Sequence, residues 1–154
     1  QIVETINRYG FVIAQEYLPA AKNGDIRVIM MNGKILQIKG KVAAINRVNS
    51  NDIRSNLHTG GKAIHAEITD DIRRLCKIVG PKLVRDGMFL AGIDIVGDKI
   101  MELNLDSPGG INAMHRLEGV DFCGEMIAAL ERKVEYQRYY DGNLPNAYLA
   151  TLDL

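Results

Sequence analysis

Cysteine is scarce. The 154 residues hold two, Cys76 and Cys123, far apart and without a Cys-x-x-Cys companion, and only three scattered histidines. Neither a zinc site nor a disulfide framework is indicated, and reduced thiols in a cytoplasmic protein are expected. A surplus of either charge is missing as well: nineteen Lys and Arg face nineteen Asp and Glu. With no basic stripe, the electrostatic footprint of a nucleic-acid binder is absent. No apolar run approaches the roughly 20 residues of a membrane helix, and no signal peptide is visible, so no membrane role is expected. Gly60-Gly61-Lys62-Ala63 lacks the hydroxyl residue and the upstream glycine of a phosphate-binding P-loop. The chain opens on Gln1 rather than Met, a hint that it is part of something longer.

What is present fits one globular domain with a sizeable core, at 47% hydrophobic and 25% charged residues. The most informative stretch is 88–110, where two apolar, β-prone runs flank Gly97-Asp98 and carry acids on otherwise greasy strands. Asp94 lies between Ile93 and Ile95, while Glu102 and Asn104 bracket Leu103. Oxygen-bearing side chains so placed need compensation, and a divalent cation supplies it. If Gly97, Asp98 and Lys99 form a three-residue loop, Asp94 lies opposite Glu102, and Asn104 projects from the same face. Three oxygen ligands then suit Mg²⁺ completed by phosphate and water. A two-residue loop would turn Asp94 away. An ordinary half-exposed hairpin, with its polar residues simply facing water, explains the pattern equally well.

Around that hairpin the chain reads as α+β, an antiparallel sheet with flanking helices. Residues 2–9 have helical spacing up to Gly10, and Phe11 to Ala14 reads as a buried strand running into Gln15-Glu16-Tyr17-Leu18, ended by Pro19. Residues 26–31 and 34–45 form an antiparallel meander turned at Asn32-Gly33, with Arg27 in need of an anion or of solvent for its head. Residues 46–66 read as a long polar loop whose basic residues and glycines suit a mobile flap over an anion. Thr69-Asp70-Asp71 can cap a helix that buries Ile72, Leu75, Cys76 and Val79 and is interrupted or kinked at Gly80-Pro81. Ser107-Pro108-Gly109-Gly110 is a tight loop able to offer N–H groups to an anion, or a plain turn. From Val120 on, Phe122, Met126, Ile127, Leu130 and Val134 mark a closing helix. Tyr148 to Leu154 is an apolar tail that docks on its own domain or pairs with a second chain.

The order Gln15-Glu-Tyr-Leu-Pro, Gly24-Asp-x-Arg-Val, Arg47, Arg54-x-Asn-Leu-x-x-Gly-Gly, Gly92-x-Asp-Ile-x-Gly-Asp and Glu102-x-Asn-x-x-Ser-Pro resembles the ATP-grasp ligases, and among them prokaryotic glutathione synthetase, from about Gln15 to Leu130. The resemblance implies the C-terminal portion of an ATP-grasp fold over 1–138, with 139–154 as a tail. Gln15, Glu16, Tyr17 and Leu18 would form the hinge that meets adenine, with Met30 and Leu103 as apolar contacts to the base and Asp25 near the ribose. Arg27 would lie near the terminal phosphate or the acyl phosphate, and Arg47 and Arg54, with Asn56, Gly60 and Gly61, would belong to the flap over the intermediate. Ser107 would face the substrate. Asp94, Glu102 and Asn104 would bind Mg²⁺.

The implied reaction is ATP-dependent joining of a peptide carboxylate to an amine through an acyl phosphate, with γ-glutamylcysteine and glycine as substrates. Such chemistry needs no protein nucleophile, in keeping with the missing Ser-His or Cys-His constellation. Two departures stand out. The family's phosphate-binding lysines and glycine loop precede the hinge, so this chain alone is not expected to turn over. Ser107 to Gly119 also looks like related ligases that add amino acids to a peptide or protein end. A non-catalytic, self-associating domain is the remaining alternative, prompted by the tail.

Overall fold

The computed structural model describes residues 2–11, 15–48 and 61–154. In chain order these form α1 (Ile2–Tyr9), a 3₁₀ turn (Pro19–Asn23), β1 (Asp25–Met31), β2 (Lys34–Ile35), β3 (Gln37–Ile38), β4 (Lys41–Val42), β5 (Ala44–Val48), β6 (Lys62–Ile64), α2 (Asp70–Arg85), β7 (Leu90–Val96), β8 (Lys99–Asn104), α3 (Ile111–Glu118), α4 (Phe122–Tyr139) and α5 (Asn146–Thr151). The main sheet runs β6-β5-β1-β7-β8, all antiparallel, with β2 also paired to β1. Among the described residues no helix is long and apolar enough to cross a membrane.

Strand alternation divides the core in two. Even-numbered residues of β1 and odd-numbered residues of β7, namely Val28, Met30, Ala91, Ile93 and Ile95, pack against Ile72, Cys76 and Leu83 of α2. The opposite face carries Ile29 and Ile45 against Ala113 and Met114 of α3 and Phe122 and Met126 of α4. Burial pushes the Cys76 thiol up to about 11, so it is a packing group at neutral pH rather than a nucleophile. Helices α3 and α4 cover only part of their face. On the rest of that face the charged residues gather.

Several expectations are corrected. Phe11 is 74% exposed, residues 12–14 lie outside the described residues, and 15–18 are extended but belong to no strand. Pro19 starts the 3₁₀ turn instead, where a missing N–H costs nothing. The run 34–45 is broken by a second tight turn at Lys39 (φ 49°) and Gly40 (φ 80°), which joins β3 to β4. The long loop is shorter than expected, because β5 extends through Arg47 to Val48 and pairs with β6. Thr69 does cap α2, its hydroxyl accepting from Ile72 N at 3.3 Å, but the helix then passes Pro81 without ending.

Helix α4 buries a different stripe from the one expected. Phe122, Met126, Ala129 and Lys133 face inward, while Ile127, Leu130 and Val134 are 55%, 43% and 45% exposed. Lys133 explains how a charged residue joins the inner stripe. Its ammonium lies 4.9 Å from the Phe89 ring centroid and donates to the carbonyls of Leu149, at 2.7 Å, and Leu152. Burial pushes its pKa below the usual lysine value. The tail therefore docks on its own domain, with Leu149 6% exposed and Lys34 paired to Asp153. Lys133→Met keeps the stem but takes the lysine donor from both carbonyls, leaving Leu149 O with the Leu152 N–H at 3.2 Å, at a cost of about 1–3 kcal/mol. Limited proteolysis is expected to clip residues 144–154 faster in that variant, with the rest of the chain as resistant as before.

Candidate functional site

The charged part of that sheet face is built by register. Asp25 of β1 is the partner of Arg47 on β5, and Arg27 is the partner of Asp94 on β7. Directly opposed residues share a face, so two acids and two arginines stand in alternation across three strands. Arg27 grips Asp94 as a fork, Nε to Oδ1 and Nη2 to Oδ2, both at 2.7 Å. Arg47 Nη2 reaches the same Oδ2 at 2.7 Å, and its guanidinium also bonds both oxygens of Asp25. All four side chains are between 5% and 12% exposed. Burial works against the charge of Arg47, but the hydrogen bond to Asp25 and the attraction of Asp94 outweigh it, so its pKa lies above the usual arginine value.

The β7–β8 hairpin adds the remaining oxygens by an unforeseen route. Its loop has two residues, Gly97 (φ 60°) and Asp98, because Val96 pairs with Lys99 and Ile95 with Ile100. That parity alone would turn Asp94 and Glu102 to opposite sides. A bulge at Met101 reverses it, and beyond the bulge Asp94 pairs with Glu102 and Gly92 with Asn104. The expected pairing is present, reached by turn plus bulge rather than by a three-residue loop.

Asn104 completes the cluster. With its carboxamide oxygen toward Arg27, it accepts from Nη2 at 2.8 Å while its nitrogen donates to Glu102 Oε1 at 3.1 Å. The reverse orientation offers one contact, Nδ2 to Asp94 Oδ2 at 3.3 Å, and sets donor against donor at Arg27. We adopt the first, which satisfies both atoms. The loop after β8 crosses the same face: a Cβ on Gly92 would meet Pro108 Cβ at 2.9 Å, and one on Gly109 would meet Arg27 Nη1 at 3.9 Å. The result is a shallow polar floor of guanidiniums, carboxylates and one amide, roofed at one end by residues 107–110.

Residues 1–119 match the family model for the ATP-grasp domain of prokaryotic glutathione synthetase. The chain belongs to that family. It is 43% identical over 124 residues to the glutathione synthetase of Synechococcus elongatus, covering 80% of this chain and 36% of that protein. For the glutathione synthetase of Thermosynechococcus vestitus the figures are 41% over 120 residues, 77% and 36%. For that of Agrobacterium fabrum they are 38% over 128 residues, 82% and 38%. The chain thus spans less than two fifths of the length of these relatives.

Within this ATP-grasp domain the other expected site residues scatter. Gln15, Glu16 and Leu18 line a recess of about 220 Å³ with Lys99, Ile100 and Met101, at the edge strand β8. The Glu16 carboxylate is paired to Lys99 at 2.8 Å, and Tyr17 is 58% exposed. Met30 is corrected: it is 1% exposed, packed under α2 on the other face of the sheet, and can touch no ligand at the charged cluster. Leu103, partner of Ile93, also turns away from Glu102 and Asn104, but it is 42% exposed at the edge. Arg47 is a strand residue rather than part of a flap, and Asp25 is bound by it rather than facing solvent. Gly61 borders a groove between β6 and α3, with Lys62, Arg116 and Leu117. Ser107 is exposed. Arg54, Asn56 and Gly60 lie outside the described residues.

The union of Asp25 with Arg47 is what sequence reasoning missed. Its one signal is period-2 spacing, since Arg47 follows Ile45 by two positions on a strand that looks like loop. Among the described residues no three His, Cys, Asp or Glu cluster as a metal site. Two carboxylates and an amide remain the candidate donor set. Its chemistry suits a hard cation, and a positive group, Arg27 Nη2, sits 2.7 Å from Asp94 Oδ2 and 2.8 Å from Asn104 Oδ1.

Proposed function

We propose that the chain is the magnesium- and phosphate-binding portion of an ATP-dependent carboxylate–amine ligase, which joins γ-glutamylcysteine to glycine by way of an acyl phosphate. Family membership supports the reaction class, and the guanidinium between Asp94 and Asn104 is the single observation that carries the site. Glu102, exposed beside them, is the third oxygen donor. Mg²⁺ held by Asp94, Glu102 and Asn104 would neutralise charge on the phosphates of ATP. Arg27 and Arg47 stabilise charge on the transferring phosphoryl group, a role that fits buried guanidiniums with fixed geometry. The recess beside Gln15 to Leu18, next to exposed Leu103, suits a flat heterocycle at the sheet edge. Ser107 lies on the loop that crosses the cluster, where the acyl acceptor would enter. Free Cys76 and Cys123 accord with a cytoplasmic setting.

The test is calorimetry of Mg·ATP binding to the full-length parent protein. Glu102→Gln is expected to weaken metal-dependent binding at least tenfold, or about 1.4 kcal/mol, and an unchanged affinity would remove Glu102 from the site. Phosphate release measured with γ-glutamylcysteine plus glycine identifies the substrates. Turnover only with a different acceptor would favour a ligase acting on a peptide or protein end.

A further inference from the structure

We propose that Arg27 is an internal occupant of the cation position, which refuses a free divalent ion and yields only when phosphate is present to receive the guanidinium. This rests on the metal reading above and adds an order of events to it. The contacts are specific. Arg27 Nη2 bonds Asp94 Oδ2 at 2.7 Å and Asn104 Oδ1 at 2.8 Å, and Nε takes Asp94 Oδ1 at 2.7 Å. Arg47 Nη2 sits on Asp94 Oδ2 from the other side, also at 2.7 Å. Both carboxylate oxygens of Asp94 are thus engaged by guanidiniums.

Charge points the same way. Asp25, Asp94, Arg27 and Arg47 sum to zero, so an approaching dication meets the single negative charge of Glu102 and two guanidiniums held against the oxygens it needs. Displacing a forked arginine without giving it a new acceptor would leave a cation buried and unpaired, which is strongly unfavourable. A phosphate chain removes that penalty, because a guanidinium exchanges carboxylate for phosphate with the same two-pronged geometry. On the side of Arg27 Nη1 the loop neighbour is Gly109, which brings backbone and no side chain to the guanidinium; a Cβ there would be in ordinary contact at 3.9 Å. Cation and phosphate binding are therefore coupled through Arg27, each raising the affinity of the other by the same factor.

Manganese is the probe, followed by water-proton relaxation on the full-length parent protein, with and without β,γ-methylene-ATP. Wild type should bind Mn²⁺ alone weakly and at least tenfold more tightly with the nucleotide analogue. Arg27→Met should gain about tenfold or more in affinity for Mn²⁺ alone, as a like charge leaves the site, and lose most of the coupling. Should Arg27→Met fold poorly by circular dichroism, Arg27→Lys, which cannot fork, is expected to show the same changes in smaller degree. Equal affinity of wild type and both variants for Mn²⁺ alone overturns the proposal. If wild type binds Mn²⁺ alone as tightly as with the analogue, and Glu102→Gln abolishes both, the metal site stands and the internal occupant falls. If neither form of wild type binds Mn²⁺ at all, the metal reading itself fails and takes this one with it.

Discussion

Asp94→Ala is expected to lower the unfolding free energy by roughly 3–5 kcal/mol, the usual cost of removing one partner from a buried ion pair. The carboxylate is shared by two guanidiniums whose side chains are 11% and 12% exposed, so its loss leaves Arg27 without its forked partner and Arg47 with Asp25 alone. The small cavity left by the three atoms of the carboxylate is a minor addition beside this. Glu102→Gln on the exposed side of the same hairpin is the control, and a change within about 0.5 kcal/mol is expected there. Urea denaturation of both variants checks the contrast. The double variant Asp94→Ala with Arg27→Met should recover part of the loss, since it removes the stranded charge along with its partner. A loss below about 1 kcal/mol for Asp94→Ala would mean that water reaches the network and screens it, as at a surface pair.

Gly80→Ala is the second large effect, and here two principles predict opposite signs. Gly80 is inside α2, where alanine is the better helix former by about 1 kcal/mol. Its added Cβ, however, would lie 2.2 Å from the carbonyl oxygen of Gly33, at the β1–β2 turn. Both sides of that contact are backbone, so no flexible side chain can move aside, and Gly33 itself is held by its hairpin with φ 72°. Overpacking of this kind costs about 1–3 kcal/mol and sometimes more, so the contact outweighs propensity. Less the helix-propensity gain of about 1 kcal/mol, a net loss near 2 kcal/mol corresponds to a fall in Tm of roughly 4–8 °C for a domain of this size. A rise in Tm would show that α2 can slide away from the hairpin, and that the packing between them is looser than the distance implies.

These two positions also mark what sequence could and could not deliver. The opposition of Asp94 and Glu102 was readable, because alternation and a short glycine turn restrict a hairpin to a few registers. The route was not, since a bulge falls on an ordinary residue, Met101, with nothing in its side chain to announce it. Arg47 was misplaced in a loop because its neighbours Asn46 and Asn49 are polar, whereas the strand is imposed by ladder bonds from β1 and β6 that local composition does not record. Helix α3 went unread since Asn112, His115 and Arg116 dilute its apolar period, although its buried Ala113 and Met114 lie on the core. In α4 two stripes compete for the interior. The winner contains a lysine, which the carbonyls of a distant tail and the Phe89 ring make tolerable.

The bulge at Met101 makes sidedness a matter of counting. Removing that residue would swing Glu102 and Asn104 toward the α2 layer while leaving every amino acid of the cluster in the chain. Anyone redesigning this hairpin must therefore add or subtract positions in twos, because a single insertion exchanges front for back.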